Sequence, residues 1–284
     1  DDGSTDGGAQ IVEKLNNPMI KVIRQENAGQ SAARNLGVEQ ACNNSIAFLD
    51  ADDEWLPNFL EEIQRLKINF PECGIYSTSS LTIKPDGSKY YPNLTLLPPE
   101  PWIGIVPNFF ELLQAGLAFN SSSIVIPKII LKEVGGFPVG VHLTSDIETW
   151  VRIAIKYPIA FNPKRLAIYH QDADNRTAPT HSELVEYPVV KTIITAINEE
   201  QIPEGKLRTE ALEYVAKKQI DVAINNIIIG KREHGIELLN KCGYTQKYKK
   251  EWLKWRFYAA LPARMPKKFL DIKEKLRGYK KRIK

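Results

Sequence analysis

The segment spanning residues 45–53 constrains the fold more than any other part of the chain, because an apolar run changes there into acids. Its apolar positions are Ile46, Phe48 and Leu49, and its carboxylates are Asp50, Asp52 and Asp53. The apolar run predicts a buried strand, and the acids follow where the backbone leaves the sheet. In open α/β sheets ligands bind outside the carboxyl ends of strands, and such carboxylates suit a hard divalent cation that also carries substrate phosphates. An acidic turn that caps the next helix, through Asp52 or Asp53, explains the same residues.

Helices and strands alternate around this segment. Apolar spacing predicts helices over residues 10–15, 31–42 and 55–70, and strands over 20–23 and 45–50. This order predicts an α/β fold with a mainly parallel sheet flanked by helices. Because the chain begins in the turn formers Asp1-Asp2-Gly3-Ser4, we expect a first strand that would precede Asp1, as if the chain were truncated at its N-terminus.

The elements become shorter and then wholly helical along the rest of the chain. Further strands are predicted over residues 74–83, 122–126, 159–161 and 166–169, and further helices over 108–115, 128–134 and 145–157. Two more helices are predicted over 184–197 and 208–229. We therefore expect an α/β domain over residues 1–180 and a helical extension over 181–284.

The charge is distributed unevenly along the 284 residues. The net charge is +4, but residues 246–284 contain 15 Lys and Arg against three acids and so carry +12, which leaves −8 for residues 1–245. In this end, Lys and Arg alternate with Trp252, Trp255, Phe257 and Tyr258. Such a pattern suits an amphipathic helix on an anionic lipid surface, a nucleic acid, or a solvated basic tail.

The cysteine content and hydropathy exclude several classes of protein. Cys42, Cys73 and Cys242 are few and widely spaced, which argues against a disulfide framework and a zinc site and favours a reducing cytoplasm. No run of about 18 apolar residues is present, so we expect no membrane-spanning helix.

Three further positions have side chains suited to a phosphate-containing ligand. An Asp in the first turn, Asp1 or Asp2, can accept hydrogen bonds from a base or a ribose hydroxyl, or cap a helix. Arg34, early in a helix, can meet a diphosphate with its fork of donors, or lie on the surface. Asp146 falls in the first turn of a helix, where the helix dipole alone accounts for a carboxylate, and Glu148 must point to another face.

Five blocks in this order carry a resemblance to a known family. They are Asp1–Asp6 (DDGSTD), Asn27–Asn35 (NAGQSAARN), Phe48–Asp53 (FLDADD), Ser123–Phe137 with its Gly-Gly-Phe end, and Ser145–Arg152 (SDIETWVR). Over roughly residues 1–176 the chain resembles the family-two glycosyltransferases. The resemblance implies a GT-A fold and an inverting hexosyl transfer from a nucleotide diphosphate sugar to an acceptor hydroxyl, of the kind used in bacterial cell-surface polysaccharide synthesis. It also implies that residues 1–180 are the catalytic domain.

The resemblance also assigns roles to individual residues. It places Asp1, Asp2 and Arg34 at the nucleotide, Asp50 at the ribose or the metal, and Asp52 on Mn²⁺ or Mg²⁺. Asp146 corresponds to the general base, although the family commonly has Glu-Asp where this chain has Ser145-Asp146. A basic residue or His is frequent near the position of His170, which therefore becomes a candidate ligand of the metal or contact of the diphosphate; Arg176 is a weaker candidate for the phosphates.

The partners follow from the same resemblance. We expect a nucleotide-sugar donor, a saccharide or lipid-linked acceptor, and docking of residues 246–284 on the inner face of the cell membrane; nucleic acid is disfavoured as a partner. Two alternatives remain open at this point. A nucleotidyltransferase would favour a Gly-rich loop with a basic residue near the N-terminus, which Asp1-Asp2-Gly3-Ser4 lacks. A non-catalytic nucleotide-sugar-binding scaffold would keep the fold without needing Asp146.

Overall fold

A computed structural model describes residues 1–99, 101–141, 144–172, 186–243 and 245–260. The described residues fall into two compact units, one within 1–179 and 191–208 and the other within 180–190 and 209–284. The sequence-based division after residue 180 therefore differs from this grouping for residues 191–208. A contact with the first unit accounts for the difference, because the Thr192 hydroxyl donates to Glu148 at 2.9 Å.

The first unit is built on a sheet of seven strands among the described residues. The strands are β1 (Ser45–Ala47), β2 (Glu54–Trp55), β3 (Ile75–Ile83), β4 (Lys89–Tyr90), β5 (Gly104–Ile105), β6 (Ile124–Pro127) and β7 (Ile159–His170). Their order is β1-β6-β3-β7-β2, with β4 beside β3 and β5 beside β7. The two predicted strands over residues 159–169 form one long strand.

The sheet is mixed, so the expectation of a mainly parallel sheet was wrong. Among the described strands only β3 and β7 pair in parallel. Since β6 is antiparallel to both β1 and β3, the strands β1, β3 and β7 nevertheless point the same way, and β6 is inserted between two of them. Consequently β6 begins where β1 ends, and β3 and β7 continue beyond that point in the same direction as β1.

Helices flank this sheet at most of the positions that the apolar spacing predicts. They are α1 (Gly8–Lys14), α2 (Gln30–Gln40), α3 (Phe59–Asn69), α4 (Phe109–Ala115), α5 (Lys128–Glu133), α6 (Ser145–Lys156) and α7 (Pro188–Asn198). The predicted helix start at Trp55 was wrong, because Trp55 pairs with Ala167 of β7. The predicted strand over residues 20–23 was also wrong; this part of the backbone bonds to Asp1 through Ile23 and Gln25, which is too little for a ladder.

The core of the first unit lies between the sheet and its helices. Phe59, Ile63 and Leu66 of α3 pack on Tyr76 of β3 and Ala160 of β7. These residues recur at i, i+4 and i+7 along the helix, so one apolar stripe meets the sheet. The packing fixes β3 and β7 relative to each other near the residues where both strands begin.

The second unit is helical. Its described elements are α8 (Lys206–Ile228), α9 (Arg232–Lys241) and α10 (Lys249–Ala260), with part of α8 belonging to the first unit. Trp255 and Ala259 of α10 pack on Ile220 and Ala223 of α8 and on Leu239 of α9. Trp255 is thus a core residue, which the alternation of aromatic and basic residues did not indicate. No helix among the described residues is long and apolar enough to cross a bilayer.

Candidate active site

The acids that follow β1 form a tight loop, the acid loop (Asp50–Asp53), at the edge where β1 ends. The loop closes on itself, since the backbone N–H of Asp53 donates to the Asp50 carbonyl at 3.0 Å. The side chain of Asp52 is exposed, whereas Asp50 and Asp53 are partly buried. The loop therefore presents Asp52 to solvent and turns its other two carboxylates toward the protein.

A short 3₁₀ turn, the serine turn (Ser121–Ser123), supports the acid loop from the start of β6. The Ser122 hydroxyl donates to Asp53 Oδ2 at 2.5 Å and accepts from the backbone N–H of Asp50 at 3.0 Å. The Ser122 carbonyl accepts from Trp55 Nε1 at 2.6 Å. Because β6 begins where β1 ends, its first residues lie beside the acid loop.

Asp53 joins the acid loop to two other elements. Its Oδ2 binds Ser122, and its Oδ1 accepts from the backbone N–H of His170, at the end of β7, at 3.0 Å. Burial raises the pKa of the Asp53 carboxyl above its ordinary value, and Asp50 and Asp52 add to this, while both hydrogen bonds act against it. The alternative of Asp53 as a helix cap was wrong, because α3 begins at Phe59 after Asn58.

Arg34 of α2 binds the acid loop directly. Its Nη2 lies 2.8 Å from Asp50 Oδ1, and its side chain is 9% exposed against 31% for Asp50. Its guanidinium lies over the Phe137 ring at 5.5 Å from the centroid. Nη1 is buried and has no hydrogen-bond partner among the described residues. Arg34 thus has a spare donor beside a carboxylate, which a planar guanidinium can offer to an anionic oxygen.

Asn35 and the Gly135-Gly136-Phe137 turn form a reciprocal contact. Asn35 Nδ2 donates to the Phe137 carbonyl and the Phe137 N–H donates to Asn35 Oδ1, both at 2.8 Å. Gly136 has φ +67°, and a Cβ there would lie 2.6 Å from Asn35 Oδ1. Close approach and backbone conformation both require glycine at this point. Two of the blocks that carry the resemblance are therefore in direct contact in the fold.

Asp1 and Asp2 belong to a separate network near the N-terminus. Asp2 accepts from Gln25 Nε2 at 2.6 Å, from the Ala28 N–H at 2.8 Å and from the Gly29 N–H at 2.9 Å. The Ala28 hydrogen bond is the main cause that holds the pKa of Asp2 below its ordinary value. Asp1 accepts from the Ser4 N–H at 2.9 Å. Asp2 therefore shapes the loop that leads into α2 and Arg34.

Asp146 lies in the first turn of α6 and contacts the serine turn. Its Oδ1 accepts from the Ile147 N–H at 2.7 Å, and its Oδ2 lies 3.4 Å from the Ser121 hydroxyl. The helix N-cap is Thr144, at φ 62°. Placement in the first turn favours a carboxylate because of the helix dipole. The candidate base and the acid loop thus contact consecutive serines.

Glu148 faces away from Asp146. It receives Arg152 Nε at 2.9 and 3.0 Å, while Arg152 Nη2 donates to the Gly136 carbonyl at 2.7 Å and Nη1 donates to the Val134 carbonyl. This arrangement fastens the Gly-Gly-Phe turn to α6. Only Asp146 of the two acids approaches the serine turn, as the helical spacing predicts.

His170 lies at the end of β7 between two carboxylates. Its Nδ1 is 3.0 Å from Asp172 Oδ1 and its Nε2 is 2.7 Å from Glu54 Oε1. These partners, Asp172 first, raise the pKa of the imidazole above its ordinary value, against the effect of burial. Both ring nitrogens lie at hydrogen-bond distance from carboxylate oxygens, so neither is directed at an open position for a metal. Arg176 lies outside the described residues.

The structure also identifies contributors that the sequence patterns did not. Ser122 was predicted only as the first residue of a strand and Ser121 had no predicted role, while Asn35 and Arg152 were only members of the blocks that carry the resemblance. A run of three serines before an apolar strand gives no periodic signal, and its hydroxyl partners come from 69 and 25 residues away. The antiparallel insertion of β6 that creates these contacts was the missing information.

The arrangement contains oxygen ligands suited to a hard cation. Among the described residues no group of three or more His, Cys, Asp and Glu is arranged to hold a metal ion. Asp50 and Asp52 remain as two carboxylates in one short loop. Mg²⁺ is typically held by one or two carboxylates together with substrate phosphates, so the residues present fit such an ion.

Comparison with known proteins shows which family the first part of the chain resembles. Residues 1–131 match the family described as Glycosyl transferase family 2. This part of the chain is therefore similar to glycosyl transferase family 2. The match covers the blocks at residues 1–6, 27–35 and 48–53, and it also includes the serine turn.

Two relatives and a solved structure are also similar to this chain. The chain is 41% identical over 69 residues to the uncharacterized glycosyltransferase YibD of Escherichia coli, which covers 24% of this chain and 20% of that protein. It is 43% identical over 68 residues to the minor teichoic acid biosynthesis protein GgaA of Bacillus subtilis, which covers 22% and 15%. The alignments thus span about a fifth or less of these relatives.

The crystal structure of residues 1–349 of S. aureus TarS matches with TM-score 0.54 and 17% identity, over 92% of this chain and 70% of that one. The GT-A fold expected from the sequence is confirmed, with its C-terminal helices.

Proposed function

We propose that the chain is a glycosyltransferase that moves a sugar from a nucleotide diphosphate sugar to an acceptor hydroxyl, with residues 1–180 as the catalytic domain. One observation carries the proposal: consecutive residues of the serine turn contact the acid loop and Asp146. The leaving diphosphate needs groups that stabilise its charge, and the attacking hydroxyl needs a base close by. We propose the acid loop for the first role and Asp146 for the second. The similarity of residues 1–131 to family 2 supports the same reaction.

The donor-binding role falls to the groups around the acid loop. Asp50 and Asp52 would hold Mn²⁺ or Mg²⁺, and the buried donor of Arg34 lies beside them. When bound, the cation neutralises charge that develops on the leaving diphosphate. Asp1 and Asp2 would contribute on the nucleoside side, Asp2 by holding the loop of Ala28 and Gly29. We leave His170 out of the metal ligands because its ring is bound by two carboxylates, and propose that it orders the end of β7.

Asp146 is proposed as the general base. The acceptor hydroxyl is a poor nucleophile and needs a positioned base to take its proton as its oxygen bonds to the anomeric carbon and the bond to the diphosphate breaks. A single base facing the acceptor, with no carboxylate forming a covalent intermediate, corresponds to inversion, by analogy with inverting glycoside hydrolysis. Glu148 does not compete for this role, since both its oxygens receive Arg152.

A ligand screen tests the donor class. We expect a higher melting temperature of the chain with Mn²⁺ and one of the uridine, guanosine or thymidine diphosphates than with Mn²⁺ alone. Asp52→Asn should reduce this increase, because it removes an exposed carboxylate that is proposed to hold the cation. The matched control is Asp86→Asn, on the β3–β4 turn. No shift with any diphosphate would contradict the proposal.

The acceptor is proposed to be a saccharide or lipid-linked intermediate of a cell-surface glycan. Support comes from the name of the relative GgaA, a minor teichoic acid biosynthesis protein. An enzyme of such a pathway would work at the inner face of the cell membrane. The exposed face of α10 suits this location: Leu253 and Phe257 are 50% and 63% exposed, and Lys250 and Arg256 lie on the same face.

The membrane contact is tested by flotation with vesicles that contain an anionic phospholipid. The full chain should float with them, and less so at high salt, because basic residues near the surface are screened by ions. The double variant Leu253→Ser, Phe257→Ser should float less. Ile129→Ser, which removes an apolar side chain that is 70% exposed in the first unit, is the control. Equal flotation of all three proteins would contradict the proposal.

A further inference from the structure

The serine turn contacts both groups of acids that the proposed reaction uses. Ser121 and Ser122 are 6% and 0% exposed, so their hydroxyls depend on protein partners. Ser122 donates to Asp53 and accepts from the Asp50 N–H, while Ser121 donates to Asp146. A serine hydroxyl combines one donor with two acceptor lone pairs, and Ser122 uses both capacities.

We infer that Ser122 and Ser121 are positioning residues, Ser122 for the acid loop and Ser121 for Asp146; the inference rests on the proposed glycosyl transfer. Replacing Ser122 with Ala would leave the Asp50 N–H and one oxygen of Asp53 without these partners in a buried place. Buried groups without partners are costly, so the acid loop would rearrange to satisfy them. Such a rearrangement moves Asp50 and Asp52, which would hold the cation.

Ser121 acts on the other side of the same turn. Its hydroxyl is 3.4 Å from Asp146 Oδ2, a long hydrogen bond of the kind that tightens when a substrate fills a site. Since Ser121 and Ser122 are adjacent in a 3₁₀ turn, one peptide unit fixes the spacing between the base and the acid loop. Reactive groups must be held to within about 0.5 Å, which residues locked by packing and hydrogen bonds achieve.

The test compares three serine-to-alanine variants of the full chain. Calorimetry measures the affinity for Mn²⁺ with UDP or GDP, whichever binds the unaltered chain, and a second assay measures kcat with the accepted donor. Ser122→Ala should weaken diphosphate and Mn²⁺ binding by about 10–100-fold, the usual effect of losing a group that orients a metal ligand. Ser121→Ala should leave that affinity unchanged and lower kcat, and Ser121→Thr should restore kcat.

Ser79→Ala is the matched control, because Ser79 is fully buried and its hydroxyl donates to the Ala118 carbonyl, away from any acid. It should match the unaltered chain in both assays. If Ser122→Ala fails to fold, the kcat values of Ser121→Ala and Ser121→Thr test the inference, which fails if both equal the kcat of the unaltered chain. The inference would be overturned if the unaltered chain binds and turns over a donor, but Ser122→Ala and Ser121→Ala change affinity and kcat no more than Ser79→Ala does. A chain that binds no diphosphate contradicts the proposed function instead.

Discussion

The guanidinium of Arg34 lies 2.8 Å from the carboxylate of Asp50 and packs over the ring of Phe137. This contact joins α2, the acid loop and the Gly-Gly-Phe turn, which are far apart in the sequence. Phe137 also packs edge-to-face on Phe48 of the segment that precedes the acid loop, with ring centroids 5.3 Å apart. Arg34 therefore supports the proposed donor site in addition to facing it.

Arg34→Lys should destabilise the chain although it keeps the charge. Lysine cannot reproduce the planar fork or stack on Phe137 in the same way. Because hydrogen bonds to charged groups typically contribute about 1.5–3 kcal/mol, we expect a loss of about 2 kcal/mol in the free energy of unfolding, measured with urea.

Arg24→Lys is the control for this variant. Arg24 and its partner Glu13 are both 48% exposed, and pairs at that exposure contribute about 0–1 kcal/mol. Equal effects of the two substitutions would show that the Arg34 contact does not stabilise the fold.

Gly136→Ala should cost more stability than Gly140→Ala. Both glycines have positive φ, +67° and +80°, and this conformation alone costs an L-residue about 1–2 kcal/mol. Only at Gly136 would the new Cβ also meet Asn35, whereas nothing lies within 4 Å of a Cβ at Gly140. Urea unfolding measures both variants, and indistinguishable values would mean that the contact between Asn35 and the turn is unimportant.

Much of the first unit followed from the apolar pattern, since α4 and α6 bury apolar residues at helical spacing and β3 is an almost continuously buried run. The direction of β6 did not follow, because an apolar run is the same read in either direction. Because the direction of β6 was not predicted, the contacts of the serine turn were not predicted either. The start of α3 was misplaced for a related reason: Trp55 is apolar at helical spacing but pairs with β7 through its backbone.

The candidate residues themselves came from the order of five short blocks more than from any single block. Arg34, Asp50 and Asp146 are connected in the structure through Phe137 and the serine turn, whereas the Asp1 and Asp2 network is separate. Side-chain pairing at His170 was not readable from the sequence, because its partner Glu54 is 116 residues away. The distribution of aromatic residues near the C-terminus was likewise ambiguous until packing placed Trp255 in a core.

Asp2→Asn should destabilise the chain at neutral pH and less so in acid. The folded structure lowers the pKa of Asp2 below 3.8, chiefly through the Ala28 hydrogen bond, so the ionised form stabilises the fold. This contribution is present above the unfolded value of 3.8 and is lost as pH falls through the lower, folded pKa. The difference in melting temperature between Asp2→Asn and the unaltered chain should therefore shrink from pH 5 to pH 3. A difference independent of pH would contradict the assignment.

The three thiols should differ in reactivity under native conditions. Cys42 is exposed, whereas burial raises the pKa of Cys73 to about 12 and that of Cys242 to about 11. Because the thiolate is the reactive form, iodoacetamide at pH 8 should label Cys42 first, as read by peptide mass spectrometry. Denaturation should equalise the three rates. Early labelling of Cys73 in the native chain would contradict its buried position in the core formed by α3 and β3.

The most direct measurement is the turnover of the accepted nucleotide sugar by Asp146→Asn in the full chain, with released diphosphate as the readout. The account predicts a fall in kcat of about 10²–10⁴-fold, the usual contribution of a positioned base, with unchanged affinity for Mn²⁺ and the diphosphate. Asp86→Asn should retain full activity. An Asp146→Asn variant as active as the unaltered chain would contradict Asp146 as the base and, with it, the reading of this edge of the sheet as an active site.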